Sequence, residues 1–280
     1  MKKLDKILQT LIINGSLTEQ PGLFYGKTGI AVFFFHYAGK TGNSLFQEYA
    51  IELIEAIQKQ ITVTTSLRYD TGIAGIGVGF EYFLQNNFIE ADDSDFFDDF
   101  DARMYRAVMY EPYPNLSLKG GLTGWGRYFI YRLRGKGHKD SILHEALTHI
   151  ANEIALKVEG NLVSENEKPD VYRFFHDMAQ IQEYTEKYAK SLQMCKKWNC
   201  INEPDIRKLF PYMNNLQRLL VSQNYLYTNF TKEIEQEWRK WEEVDYDDIA
   251  DMGLLKGWTA EGMLNLMYFH NLDKSWLNIL

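Results

Sequence analysis

Apolar positions recur along this chain in two alternating styles. In "SLFQEYAIELIEAIQKQI" (44–61), Phe46, Tyr49, Ala50, Leu53, Ile54 and Ile57 follow i, i+3, i+4, i+7 spacing. That spacing predicts an amphipathic helix with one wet face. Asn43 or Ser44 is placed to cap its start. "MKKLDKILQTLI" puts Leu4, Ile7, Leu8, Leu11 and Ile12 on a similar stripe, and 140–158 and 228–244 have the same character. The second style is apolar all round. "IAVFFFHY" (30–37) predicts a helix buried on every side, which makes His36 a core histidine.

A glycine loop precedes each helix of the second style. "GLFYGKTGIAVFFF" starts at Gly22, "RYDTGIAGIGVGFEYF" at Arg68, "SLKGGLTGWGRYFIY" at Ser117 and "GLLKGWTAEGMLNLMYF" at Gly253. Gly26, Gly72, Gly121 and Gly257 fall in register, and three residues on stand Gly29, Gly75, Gly124 and Ala260. The wide gap before the last copy leaves room for two degenerate copies, near 160–172 and 203–215. Gly39 reads as the stop of the first buried helix.

Alternating wet-faced and fully buried helices predict an all-α fold, an α/α toroid. It is a barrel of helical hairpins with inner and outer rings and the glycine loops at its mouth. One domain spans 1–280, with degenerate repeats at about 157–250. Glycine permits positive φ in such loops and lets inner helices converge. Inner-helix N-termini at the mouth present N–H groups to an anionic or carbonyl ligand.

The Gly-Lys-Thr at 26–28 is no phosphate loop. That motif needs a glycine five residues before Gly26, where Pro21 stands; the copy at 39–41 has Phe34 there. A net charge of −8 argues against a nucleic-acid or anionic-membrane partner. No apolar run reaches the ~18 residues of a membrane span. Two cysteines, Cys195 and Cys200, are too few for a disulfide framework, and a cytoplasmic location is expected.

The four glycine loops resemble those of the lanthionine synthetase C-like family, whose cyclases close thioether rings in ribosomally made peptides. The resemblance covers 1–156, fades over 157–250 and returns at the C-terminus. It implies the same α/α toroid, a peptide substrate or precursor peptide as partner, and other maturation enzymes nearby. Family cyclases hold zinc through one cysteine in a Trp-Cys loop and a Cys-His-Gly triplet in a later glycine loop. Zinc there lowers the pKa of the substrate thiol. This chain has Leu255-Lys256-Gly257 at the last matching glycine. The expectation is a zinc-free member with no cofactor. A family-type catalytic Asp ahead of a glycine loop points to Asp70, whose alternative role is to cap the inner helix.

Residues beside the loop glycines are the candidates for the mouth: Tyr25, Lys27, Arg68, Asp70, Lys119, Trp125, Arg127, Lys256, Trp258 and Glu261. Two other readings stay open. A carbohydrate enzyme on an α/α barrel would use Asp70 and Glu261 as paired carboxylates. A non-catalytic scaffold would bind a precursor peptide through groups such as Trp125. His144 and His149, five apart, lack the spacing of a helical metal pair. The acidic stretch 90–103 lacks the glycine and closing Glu of a calcium loop and reads as an Asp-rich helix start. The acidic stretch 240–253 reads as a solvated connector.

Overall fold

A computed structural model describes residues 2–90, 97–136, 140–202, 206–210, 212–226, 230–242 and 251–280. Among these the chain is helical, with an isolated bridge between Met252 and Gly257. It divides into two compact units. Unit 1 comprises Met1–Ser66 and Tyr212–Leu280, and unit 2 comprises Leu67–Pro211.

Twelve helices carry the architecture. Those of unit 1 are α1 (Lys2–Gly15), α2 (Lys27–Thr41), α3 (Ser44–Gln60), α10 (Asn215–Leu226), α11 (Thr231–Glu242) and α12 (Trp258–His270). Those of unit 2 are α4 (Ile73–Gln85), α5 (Asp98–Tyr110), α6 (Leu122–Lys136), α7 (Ser141–Glu159), α8 (Lys168–Met178) and α9 (Ala189–Lys196). The even-numbered helices are the buried kind. In α4 every residue from 73 to 83 is buried, and α8 is buried from 171 to 178. The odd-numbered helices keep a wet face. In α3, Ala50, Leu53, Ile54 and Ile57 are buried while Glu52, Glu55 and Gln58 are exposed. Each of those buried Leu and Ile side chains contributes roughly 1.5–3 kcal/mol. In unit 2, α4, α6 and α8 pack in sequence, with α5, α7 and α9 packed outside them. In unit 1, α2 packs on α3 and α12, α1 on α12, and α10 on α11.

The stretches 160–172 and 203–215, where degenerate copies are expected, run into α8 and α10, both largely buried helices. Residues 203–205 and 211 of the second copy lie outside the described residues. The Asn43 side chain caps α3, accepting from Leu45 N–H at 3.1 Å. Three expectations are corrected. Gly39 does not stop α2, which runs to Thr41; Gly42, at φ 68°, is the left-handed stop. Ile12 is 42% exposed, because it turns off the stripe that buries Ile7, Leu8 and Leu11. Of the acidic stretch 90–103, residues 91–96 lie outside the described residues. Asp98 and Asp99 do start α5, but Asp101 is buried in an ion pair with Arg132.

The glycine loops share one construction. The N–H after the loop glycine donates to a carbonyl seven residues back: Lys27 to Gln20 (2.9 Å), Leu122 to Asn115 (2.9 Å) and Trp258 to Asp251 (2.8 Å). The next residue is threonine in all three. Its hydroxyl donates to the following carbonyl: Thr28 to Pro21 (2.6 Å), Thr123 to Leu116 (2.7 Å) and Thr259 to Met252. The loop is therefore closed on its helix by a backbone bond and a side-chain bond in series. Ala74 holds that place in the second loop.

In each unit two glycine loops dock by one rule. In unit 2 the Tyr69 N–H donates to the Lys119 carbonyl at 2.8 Å; in unit 1 the Leu254 N–H donates to the Phe24 carbonyl at 2.9 Å. Tyr69 and Leu254 each stand three residues before their loop glycine. Lys119 and Phe24 each stand two before theirs. Side chains at the starts of α8 and α10 also bond to these loops. Asp170 Oδ2 accepts from Leu118 N–H at 2.8 Å, Glu167 Oε1 accepts from Leu116 N–H at 2.7 Å, and Gln217 Nε2 donates to the Leu254 carbonyl at 3.2 Å.

These joints explain the second glycine of the repeat. A Cβ on Gly124 would stand 2.9 Å from the Tyr69 Cβ, and one on Gly29 would stand 2.9 Å from the Leu254 Cβ. The first glycine serves close approach too. Gly26 has extended backbone at φ −133°, yet a Cβ there would reach 2.2 Å from the Gln20 carbonyl oxygen. Positive φ is found at Gly257, at 129°.

Candidate functional site

The second and third glycine loops bring five of the ten candidates into one neighbourhood of unit 2. Arg68 and Asp70 form a bidentate pair, Nε to Oδ1 at 2.8 Å and Nη2 to Oδ2 at 2.7 Å. The Thr71 hydroxyl also donates to Asp70 Oδ1. Asp70 therefore does not cap α4: the N-cap is Gly72, with no side-chain cap bond. The Arg68 guanidinium lies against Gly120, where a Cβ would meet it at 2.7 Å. Lys119 contributes its carbonyl to the Tyr69 and Asp70 N–H groups.

Behind this pair, Tyr69 is fully buried, and the Arg127 guanidinium stands 5.6 Å from its ring centre. Arg127 faces Asp177 of α8, Nη2 to Oδ2 at 3.8 Å, and His176 Nδ1 stands 3.6 Å from Asp177 Oδ1. Burial by itself would raise the Asp177 pKa. The adjacent His176 and the charges of Arg127, Arg134 and Arg173 outweigh burial and hold it at about 2. Burial dominates at Tyr69 and pushes its phenol well up. Trp125, one residue after Gly124, is 5% exposed, and its Nε1–H has no hydrogen-bond acceptor among the described residues. A buried donor without a partner is costly and marks a place for an acceptor group.

The remaining five candidates belong to unit 1. Lys27 is buried, and its ammonium donates to the Thr18 carbonyl and to Gln60 Oε1 at 3.5 Å. Burial pulls its pKa down, with Glu19 opposing. Tyr25 is half-buried beside Gly253, and Lys256 is exposed. Trp258 is buried, with the Lys6 ammonium 6.0 Å from its ring. Glu261 Oε2 accepts from Trp241 Nε1 at 2.5 Å. Burial raises its pKa, against that bond and the Lys3 charge.

His36 is 8% exposed, and burial lowers its pKa to about 4, with Asp273 opposing and Lys40 assisting. An unfolded histidine titrates near 6.5. The folded pKa is the lower one, so the unfolded chain binds the extra proton. Stability from this site is complete above about pH 6.5 and is lost as pH falls towards 4. Across that window His36 is expected to remove about 3 kcal/mol of unfolding free energy. His36→Phe should flatten the stability profile between pH 6.5 and 4 in urea titrations. An unchanged slope would refute this assignment.

The residues at which the resemblance would place zinc ligands do not fit the metal. Leu255 is a buried alkyl group and Lys256 an exposed ammonium. Cys195 is fully buried with its thiol pushed up to about 12. Among the described residues, no group of three or more His, Cys, Asp and Glu side chains is placed to hold a metal ion. His144 instead shares a hydrogen bond with the Tyr184 hydroxyl at 2.7 Å. No described helix is long and apolar enough to cross a membrane.

Sequence reasoning missed Tyr69, Arg173, His176 and Asp177. The last three lie on α8, in the stretch where the repeat fades. The available signal was a run of charged side chains, Arg173, His176 and Asp177, inside an otherwise apolar segment. Comparison with known proteins returns no matching family model and no matching curated sequence.

Proposed function

We propose that this chain is a lanthionine synthetase C-like protein that binds a ribosomally made peptide in the central cavity of an α/α toroid, without zinc. The supporting observation is the repeated loop joint. In each unit two glycine loops dock through one backbone bond between equivalent positions, Tyr69 N–H to the Lys119 carbonyl and Leu254 N–H to the Phe24 carbonyl. The groups beside the loops are Trp125, Arg68 and Arg127 within unit 2, and Tyr25, Lys256 and Trp258 within unit 1. Trp125 Nε1–H supplies a donor for a peptide carbonyl or carboxylate.

Binding fits these groups better than catalysis. A catalytic base needs an open carboxylate within reach of its proton, and both Asp70 oxygens take the Arg68 guanidinium. The same pairing weighs against a carbohydrate mechanism with Asp70 and Glu261.

The test uses a fluorescein-labelled synthetic peptide containing dehydroalanine and cysteine. Saturable anisotropy is expected, weakened at least tenfold by Trp125→Ala. Free thiol, counted by alkylation because ring closure leaves the mass unchanged, should stay constant. Elemental analysis should find no stoichiometric zinc. Absence of saturable binding would overturn the peptide reading, and stoichiometric zinc the metal-free one.

A further inference from the structure

Beyond α12, unit 1 ends in a short 3-10 helix, Ser275–Ile279, whose hold on the unit passes through a sulfur atom. Trp276 is the largest fully buried side chain among the described residues. Its Nε1–H donates to the Met267 sulfur of α12 at 3.2 Å. A thioether is a weak acceptor, so a large buried indole is seated on a soft contact. The short helix also packs on α10, with Leu277 and Ile279 buried. Its polar links there are slight. Lys274 donates to Gln223 Oε1 at 3.5 Å, and Asn224 Nδ2 donates to Asn278 Oδ1 at 3.3 Å.

Met267 combines access with consequence. Met104, Met178, Met213 and Met263 are buried, so their sulfurs are shielded. Met267 is half-buried, as are Met109, Met194 and Met252. Of these four, Met267 is the one whose sulfur accepts a bond from a buried donor.

We propose that Met267 is a reversible oxidation site, through which a hydroperoxide loosens the 275–279 segment from α12. Sulfur has two lone pairs, and the indole takes one. The other attacks a peroxide oxygen, the O–O bond breaks, and the departing oxygen keeps the proton and leaves as water or an alcohol. Sulfur loses two electrons to the peroxide and becomes a sulfoxide, which is polar and chiral where the thioether was apolar. The new oxygen has no room between sulfur and nitrogen at 3.2 Å. Pointing elsewhere, it leaves the indole N–H buried without a good acceptor, which is costly. Either way Trp276 gives up its seat. The site lies apart from Trp125 and does not depend on the peptide-cavity reading.

The experiment treats the full chain with hydrogen peroxide, locates oxidation by peptide mass spectrometry and follows the Trp276 indole N–H by NMR, assigned with Trp276→Phe. Met267 sulfoxide is expected ahead of oxidation at the four buried methionines. Deuterium exchange at the Trp276 indole should then become about tenfold faster or more, the effect of losing one hydrogen bond. Methionine sulfoxide reductases acting on both epimers should restore the starting rate. Met267→Leu, which keeps the volume, should make Trp276 insensitive to peroxide, whereas Met252→Leu should leave the response intact. An unchanged Trp276 exchange rate at full Met267 oxidation, or a response that persists in Met267→Leu, would overturn the proposal. So would Met267 reacting no faster than the buried methionines, and a failure to recover after reduction would overturn its reversibility.

Discussion

Replacing Arg132 by leucine is expected to lower the unfolding free energy by about 3–5 kcal/mol, the usual cost of leaving buried charges without their partner. Arg132 is 1% exposed and joins three helices. Its Nη1 meets Glu81 of α4 at 2.5 Å, and its Nε and Nη2 meet Asp101 of α5 at 3.1 and 2.9 Å. Its guanidinium also lies 3.6 Å from the centre of the Phe97 ring. Leucine fills part of the space and leaves Glu81 and Asp101 facing each other in the core. Arg132→Lys keeps the charge but cannot bridge two carboxylates with a planar fork, so an intermediate loss is expected. Urea unfolding followed by circular dichroism reads both. A loss below about 1 kcal/mol for Arg132→Leu would mean that the two carboxylates find other partners.

Gly124→Ala is the second large effect, at about 3 kcal/mol or more, the upper end of the range for overpacking. A Cβ there stands 2.0 Å from the Leu118 carbonyl oxygen and 2.9 Å from the Tyr69 Cβ. Both neighbours belong to the joint between the second and third loops, so neither yields without opening it. Thr123→Val in the same loop gives the reference. It removes one buried hydroxyl bond to the Leu116 carbonyl and should cost about 1–3 kcal/mol. Ala260 occupies the position of Gly124 in the last loop, where the incoming joint is made by the long Gln217 side chain. Thermal unfolding of the two variants should preserve this order. A Gly124→Ala protein as stable as the parent would show that the loops are not held as tightly as their packing implies.

The helices and the loop glycines were legible because each depends on a short sequence period. The stripe of α3 and the all-apolar run of α2 are local patterns. The glycine register pointed to a close approach but not to its partner, since Tyr69 meets Gly124 across a full hairpin. The threonine at 28, 123 and 259 was visible in the same alignment. It went unread because Gly-Lys-Thr invites a nucleotide reading, whereas its hydroxyl closes a turn seven residues wide. Least legible was the network of Glu81, Asp101, Tyr128 and Arg132. Periodicity sorts residues by polarity, so an Asp at a helix start reads as a dipole partner and an Arg in an apolar helix as an anomaly. Only the packing of three helices shows that each answers the other.

Unit 1 is drawn from two distant stretches of the chain, Met1–Ser66 and Tyr212–Leu280, whereas unit 2 is continuous. This sets an order of synthesis and assembly. Phe24 and Gly29 meet their partner Leu254 only after all of unit 2 has been made. Unit 2 has every joint it needs within its own span. A nascent chain thus exposes the apolar faces of α1 and α2 while unit 2 folds, and those faces are the stretch most exposed to aggregation or chaperone capture during synthesis.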